Sequence, residues 1–203
     1  MLRLMLVTDD ALLAGRDPVP ICQAAVDGGV TIVQLRRKRA PDREVVELAT
    51  RLVAALPIPV IVNDRVDLAL VAQAAGAHLG PDDLSPALAR RIVPPGFLIG
   101  ASVGTADEIS RGFTADYWGI GPLRATSTKS DAGPAIGLSG AERLCRAAGD
   151  RHCVLIGGVG PEDMAAAFEA GFAGVAVSRG ILGDGDVRAA AARFRLAADS
   201  NSA

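Results

Sequence analysis

The chain has 203 residues, long enough to bury a substantial core and read as one domain over 1–203. Half of the residues are hydrophobic but only 3% are aromatic, so Ala, Val, Leu and Ile must do most of the packing. Mean hydropathy is +0.31 with no apolar run near 18 residues, which argues against a membrane span, and a net charge of −2 offers nucleic acid no general attraction.

In chain order, strands are expected at 2–7, 31–35, 60–62, 77–79, 97–101, 117–120, 154–156 and 174–177. Helical patterns fall between and after them at 19–28, 42–55, 65–75, 85–92, 105–111, 139–148, 161–170 and 186–197. The strands are nearly continuous apolar runs, as in parallel sheets covered on both faces. Glycines stand before several strands, at Gly28-Gly29, Gly76 and Gly171, where a left-handed residue can close the preceding helix. This alternation points to an α/β fold, a single (β/α)8 TIM barrel at the short end of the size range. A doubly wound open sheet shares the alternation, but there is no reversal point and no Gly-x-Gly-x-x-Gly turn. The tail 199–203 is expected to lie outside the barrel as a disordered end.

Cys22, Cys145 and Cys153 are odd in number and lack metal-type spacing, so they read as buried free thiols in a reducing compartment. The N-terminal MLRLMLVTDD turns acidic too early for a signal-peptide core, and a cytoplasmic location is expected.

Catalytic groups of such barrels lie at the carboxyl ends of the strands. Thr8-Asp9 ends the first strand. Gln34, Arg36 and Lys38 end the second and alternate, so on extended chain they face one way, where one amide and two cations suit a diphosphate. Asn63-Asp64 and Asp83 end the third and fourth. Either can cap a helix, and two carboxylates beside phosphate oxygens also suit Mg²⁺. Ser102 ends the fifth. After the sixth comes a long loop with Thr126, Ser127, Thr128 and Lys129, whose hydroxyls and ammonium suit a phosphorylated ligand. Gly157-Gly158 and Ser178 end the last two, where barrels often bind phosphate through backbone N–H groups. His78 and His152 have no partner at metal spacing and are read as structural. Of Tyr117 and Trp118, one is expected to face the barrel interior and the other a helix.

The ordered pieces LVTD (6–9), GGVTIVQLRRK (28–38), VND (62–64), AHLGPDDL (77–84), IGAS (99–102), GPLRATSTK (121–129), IGGV (156–159) and GVAVSRGI (174–181) resemble the thiamine phosphate synthase family across essentially the whole chain. The resemblance implies a (β/α)8 transferase of thiamine biosynthesis that joins a hydroxymethylpyrimidine diphosphate to a thiazole phosphate and releases pyrophosphate. It implies Mg²⁺ at the aspartates matching Asp64 and Asp83. It further implies pyrimidine-diphosphate contacts at Gln34, Arg36, Lys38, Asn63, Ser102 and Lys129, and thiazole-phosphate contacts at Thr126, Thr128, Gly158, Val177 and Ser178. Arg36, Lys38, Ser102 and Lys129 are the expected catalytic residues.

Three positions depart from the family pattern. Met5 stands where an aromatic residue often precedes LVTD. Gly104 stands where a histidine commonly follows the strand-5 serine. Leu123-Arg124 replaces a hydrophobic-aromatic pair. A thiazole tautomerase-like isomerase of the same fold and a non-catalytic phosphate-binding barrel are the alternatives. The partners expected are small-molecule substrates, with no nucleic acid, no membrane, and room for a homo-oligomer.

Overall fold

The structure, a computed structural model, describes residues 1–13, 15–125 and 133–200. Its strands are β1 (Leu4–Val7), β2 (Ile32–Leu35), β3 (Val60–Asn63), β4 (Gly76–Leu79), β5 (Leu98–Val103), β6 (Tyr117–Ile120), β7 (His152–Ile156) and β8 (Gly174–Val177). All neighbours are parallel, and β8 pairs with β1 through Met5 opposite Ala176, so the sheet closes into the expected eight-stranded barrel.

Around it run α1 (Asp10–Leu13), α2 (Pro18–Asp27), α3 (Asp42–Ala55), α4 (Val66–Val71), α5 (Pro86–Ala89), α6 (Ile109–Gly112), α7 (Gly137–Ala147), α8 (Met164–Glu169), α9 (Arg179–Leu182) and α10 (Val187–Asp199). Helix α2 starts at Asp17, whose carboxylate accepts the Val19 N–H at 3.2 Å, with Pro18 in the first turn where its missing N–H does no harm. Helix α3 buries Val45, Leu48, Ala49 and Leu52, the spacing of one helical face. Helix α10 packs against α2 so closely that a Cβ on Gly28 would overlap the Arg188 carbonyl. Only glycine allows that contact.

The period-two alternation of the strands produces two apolar compartments. Leu4 and Leu6 face the helices, in the layer that also holds Val33, Leu35 and Trp118. Met5, Val7, Ile32, Ile61, Tyr117, Val154 and Ala176 fill the barrel itself. Tyr117 is therefore inside, while Trp118 faces outward and donates its indole N–H to Gly112 O at 2.8 Å. Cys22, Cys145 and Cys153 are buried free thiols.

Several helices are shorter than their apolar patterns. Helix α4 stops at Val71 and not near 75, because Ala72 caps it and Gln73 takes a left-handed φ of 54° to turn the chain into β4. The segments after β5 and β7 each begin with a 3-10 turn, Ala106–Glu108 and Pro161–Asp163, before becoming α-helical. The four-residue helices α1 and α9 come directly after β1 and β8 and have too little periodicity to be read from sequence. Asp199, where the sequence places the start of the tail, still belongs to α10, held by Arg195 Nε at 2.8 Å. Residues 201–203 lie outside the described residues.

Candidate active site

The carboxyl ends of the strands open into one cavity of about 430 Å³. Gln34, Arg36, Lys38, Asn63 and Asp64 line it from β2 and β3, and Asp83 and Ser102 from β4 and β5. Gly158, Val177 and Ser178 line it from β7 and β8. These ten described candidates therefore face one space. Thr126, Thr128 and Lys129 lie outside the described residues; Ala125 and Gly133, on either side of them, line the same cavity.

The end of β1 holds Arg36 by backbone and side chain. Thr8 Oγ1 accepts the Arg36 N–H at 2.8 Å. Buried Asp9 accepts the Ala11 and Leu12 N–H groups with Oδ1, both at 3.1 Å, and sets Oδ2 3.6 Å from the Arg36 guanidinium. Arg37 turns away from the cavity to Asp10 at 2.6 Å and Glu44 at 3.7 Å, which leaves Gln34, Arg36 and Lys38 on the cavity side.

Asp64 comes after β3 with φ of 65°, an uncommon conformation for a non-glycine residue. Its N–H donates to His78 O at 2.7 Å, which pins it beside β4. Asp83 accepts the Gly80 N–H at 2.7 Å, and Arg111 holds the same turn by donating to Gly80 O at 2.9 Å and to the Asp83 carbonyl. The two carboxyls then meet. Burial, the hydrogen bond to Asp83 and the charge of Asp83 push the Asp64 carboxyl up to about 6, against the pull of Lys38 and Arg36. A carboxylate pair that is unfavourable when both members ionise is the donor set a hard divalent cation relieves. Among the described residues no cluster of three or more His, Cys, Asp or Glu could hold a metal, so ligand oxygens or water would have to complete the shell of a cation bound here.

Ser102 sits beside an imidazole. Its Oγ is 3.1 Å from His78 Nε2, and His78 Nδ1 is 2.9 Å from the Tyr117 hydroxyl. Tyr117 is wholly buried, and burial drives its phenol well above the usual range. Metal spacing is a poor guide to the role of His78, because it hydrogen-bonds a serine on β5 and a tyrosine on β6. The better signal in the sequence is glycine: Gly100 and Gly119 interrupt apolar strands, and each clears room for these rings. A Cβ at Gly119 would come within 2.9 Å of the imidazole, and one at Gly100 would overlap Tyr117 and crowd His78.

The last wall is a glycine turn. Gly157 and Gly158 take φ of 91° and 71°, open to glycine without strain. Leu123 and Arg124 donate their N–H groups to Ile156 O and Gly157 O, both at 2.9 Å. The Arg124 side chain reaches Gly158 O at 2.9 Å and Asp163 at 2.6 and 2.7 Å, so this departure from the family pattern braces the turn. Met5, another departure, places its sulfur 3.5 Å from the Gln34 amide nitrogen. At the third, a Cβ on Gly104 would come within 2.9 Å of Gly121 O, so strand and turn are closer there than a side chain easily permits. Ser178 Oγ is buried without a hydrogen-bond partner among the described residues, beside α9. A bound oxyanion would satisfy it.

The chain matches the model of the family described as thiamine monophosphate synthase over residues 4–181. It is 43% identical to a thiamine-phosphate synthase of Methanoculleus marisnigri over 197 residues, covering 95% of this chain and 93% of that one. It is 46% identical to one of Azorhizobium caulinodans over 195 residues, covering 94% and 92%. A solved thiamine phosphate pyrophosphorylase from Pyrococcus furiosus superposes with a TM-score of 0.86 at 32% identity, covering 100% of this chain and 98% of that one. With a closed barrel and matches that run nearly end to end, the chain belongs to the thiamine monophosphate synthase family.

Proposed function

We propose that this chain acts as a thiamine-phosphate synthase, a transferase that joins 4-amino-2-methyl-5-hydroxymethylpyrimidine diphosphate to (carboxy)thiazole phosphate and releases pyrophosphate. The observation that carries the reading is the convergence of cations, a carboxylate pair and a glycine turn on one 430 Å³ cavity. A phosphate-binding barrel that did no chemistry would need the glycine turn alone.

Diphosphate leaves carbon only when its growing charge is neutralised as the bond breaks. Arg36 and Lys38 line the wall where that charge would sit, and Lys129, outside the described residues, falls between β6 and α7 in the sequence. Asn63 and Ser102 add hydrogen bonds to the same substrate, and the Gln34 amide contacts it from the cavity wall. Asp64 and Asp83 would hold Mg²⁺ on the diphosphate, where a divalent cation supplies further charge neutralisation.

In the reaction, the C–O bond to diphosphate breaks with its electron pair leaving on oxygen. The electron-rich aminopyrimidine carries the resulting positive methylene carbon. The thiazole nitrogen lone pair forms the new C–N bond and becomes the ring cation of the product. Gly158, Val177 and Ser178, with Thr126 and Thr128, hold the thiazole phosphate so that this nitrogen faces the methylene carbon. No protein nucleophile is needed. Exclusion of water from the cavity would protect the cation from hydrolysis.

The test is direct. The protein is mixed with both substrates and Mg²⁺, and pyrophosphate and thiamine phosphate are measured. Equal yields of the two products are expected. Absence of pyrophosphate with both substrates bound would overturn the reading.

A further inference from the structure

We infer that the buried His78–Tyr117 pair positions the proton of Ser102, so that this hydroxyl is presented to the pyrimidine diphosphate as a hydrogen-bond donor. The inference rests on the reading above that Ser102 contacts that substrate.

Three residues on three adjacent strands form one chain of hydrogen bonds: Tyr117 hydroxyl to His78 Nδ1 at 2.9 Å, and His78 Nε2 to Ser102 Oγ at 3.1 Å. A neutral imidazole has one donor and one acceptor nitrogen, so the chain has two senses. In the first, Tyr117 donates to Nδ1, Nε2–H donates to Ser102 Oγ, and the serine proton is left to point elsewhere. In the second, Ser102 donates to Nε2, Nδ1–H donates to Tyr117, and the tyrosine proton needs another acceptor.

The surroundings select the first sense. Tyr117 lies in the barrel interior among Met5, Ile32, Ile61 and Val154, which offer its proton no oxygen. Among the described residues the Tyr117 hydroxyl is hydrogen-bonded to His78 Nδ1, and the Gln34 amide nitrogen is turned to the Met5 sulfur at 3.5 Å. Donation to His78 Nδ1 thus satisfies a wholly buried hydroxyl. Ser102 by contrast lines the cavity, where its proton can meet a ligand oxygen or ring nitrogen.

The packing is consistent with a device held to one geometry. Gly100 and Gly119 leave no spare room around the two rings. Met5 and the interior side chains close the chain off from below.

Two measurements test this. The first is a double-mutant cycle with Tyr117→Phe and Ser102→Ala, reading kcat and KM for each substrate. Tyr117→Phe is expected to lower kcat/KM for the pyrimidine diphosphate about tenfold, the weight of one buried hydrogen bond, with thiazole phosphate KM unchanged. In the Ser102→Ala background the same change is expected to cost less than about twofold. Equal losses in both backgrounds would overturn the relay while leaving the role of Ser102 intact. Full activity of Ser102→Ala would instead remove the contact on which the relay acts. The second measurement needs no activity. The chain has only His78 and His152, so ¹⁵N-histidine NMR spectra resolve both rings, with His152→Gln as the assignment control. His78 is expected as the Nε2–H tautomer, shifting toward Nδ1–H in Tyr117→Phe. An Nδ1–H tautomer in the unsubstituted protein overturns the inference.

Discussion

Lys38 Nζ stands 3.6 Å from Asp64 Oδ2, across the gap between the ends of β2 and β3. The ammonium is partly exposed and lines the cavity. Replacing it with methionine keeps the stem and removes the charge. Lys38→Met is expected to raise KM for the pyrimidine diphosphate by on the order of tenfold, with thiazole phosphate KM changed less than about twofold. Steady-state kinetics with each substrate varied in turn reads the difference. A uniform rise in both values would speak against a diphosphate-side role.

Asp64 makes the stability of the metal-free protein depend on pH. Its folded carboxyl titrates near 6, above the ordinary 3.8, so the folded state holds the proton more tightly than the unfolded chain. The contribution is fully present below about 4 and is lost as pH rises through about 6. Chelated protein is therefore expected to lose melting temperature between pH 4 and 7 relative to Asp64→Asn, and added Mg²⁺ should restore it at pH 7. Scanning calorimetry at both pH values checks this. A slope unchanged by Asp64→Asn would contradict it.

Gly158 tests the phosphate turn. Its φ of 71° suits glycine, and a Cβ there would sit 3.0 Å from Arg124 Cβ. Gly158→Ala is expected to destabilise the fold by about 1–2 kcal/mol, a drop of several degrees in Tm. Affinity for thiazole phosphate should fall at temperatures where the variant is still fully folded. Titration calorimetry with that ligand gives the answer, and unchanged affinity would remove Gly158 from the site.

Gly100 tests the barrel interior. An alanine methyl there would overlap the Tyr117 ring and its hydroxyl and crowd His78. Overpacking of this kind destabilises by about 1–3 kcal/mol. Gly100→Ala is expected to lower Tm and reduce turnover together, whereas Gly96→Ala, on an open turn with φ of 84°, should lower Tm and leave turnover alone. Melting curves and initial rates on the two variants separate these effects.

Lys129 lies outside the described residues, and its role rests on the sequence. Lys129→Ala is expected to reduce kcat at least about tenfold while thiazole phosphate binds nearly as before. Retained turnover would argue against a cation closing over the leaving group.

The strands were legible because their apolar runs are bounded by glycine and polar residues, and each lies within a few residues of its expected place. Most cavity residues were legible for a related reason. In a parallel barrel the carboxyl ends of all strands share one rim, so Gln34, Asp64, Asp83, Ser102 and Ser178 could be gathered without coordinates. Helix ends were less so: the stop at Val71 depends on the backbone of Gln73, and the sequence around 65–75 stays helical in pattern. The Tyr117–His78–Ser102 chain was not legible. Its members are 39 and 24 residues apart, and only strand register makes them neighbours. The brace of Arg124 on Asp163, 39 positions away, was hidden in the same way.

Pairing of β1 with β8 has a consequence for the making of this protein. During synthesis β1 must wait, one edge bare, until β8 has been made. Val177 ends β8 and Ser178 follows it, so no nascent fragment that stops short of β8 carries the complete cavity wall.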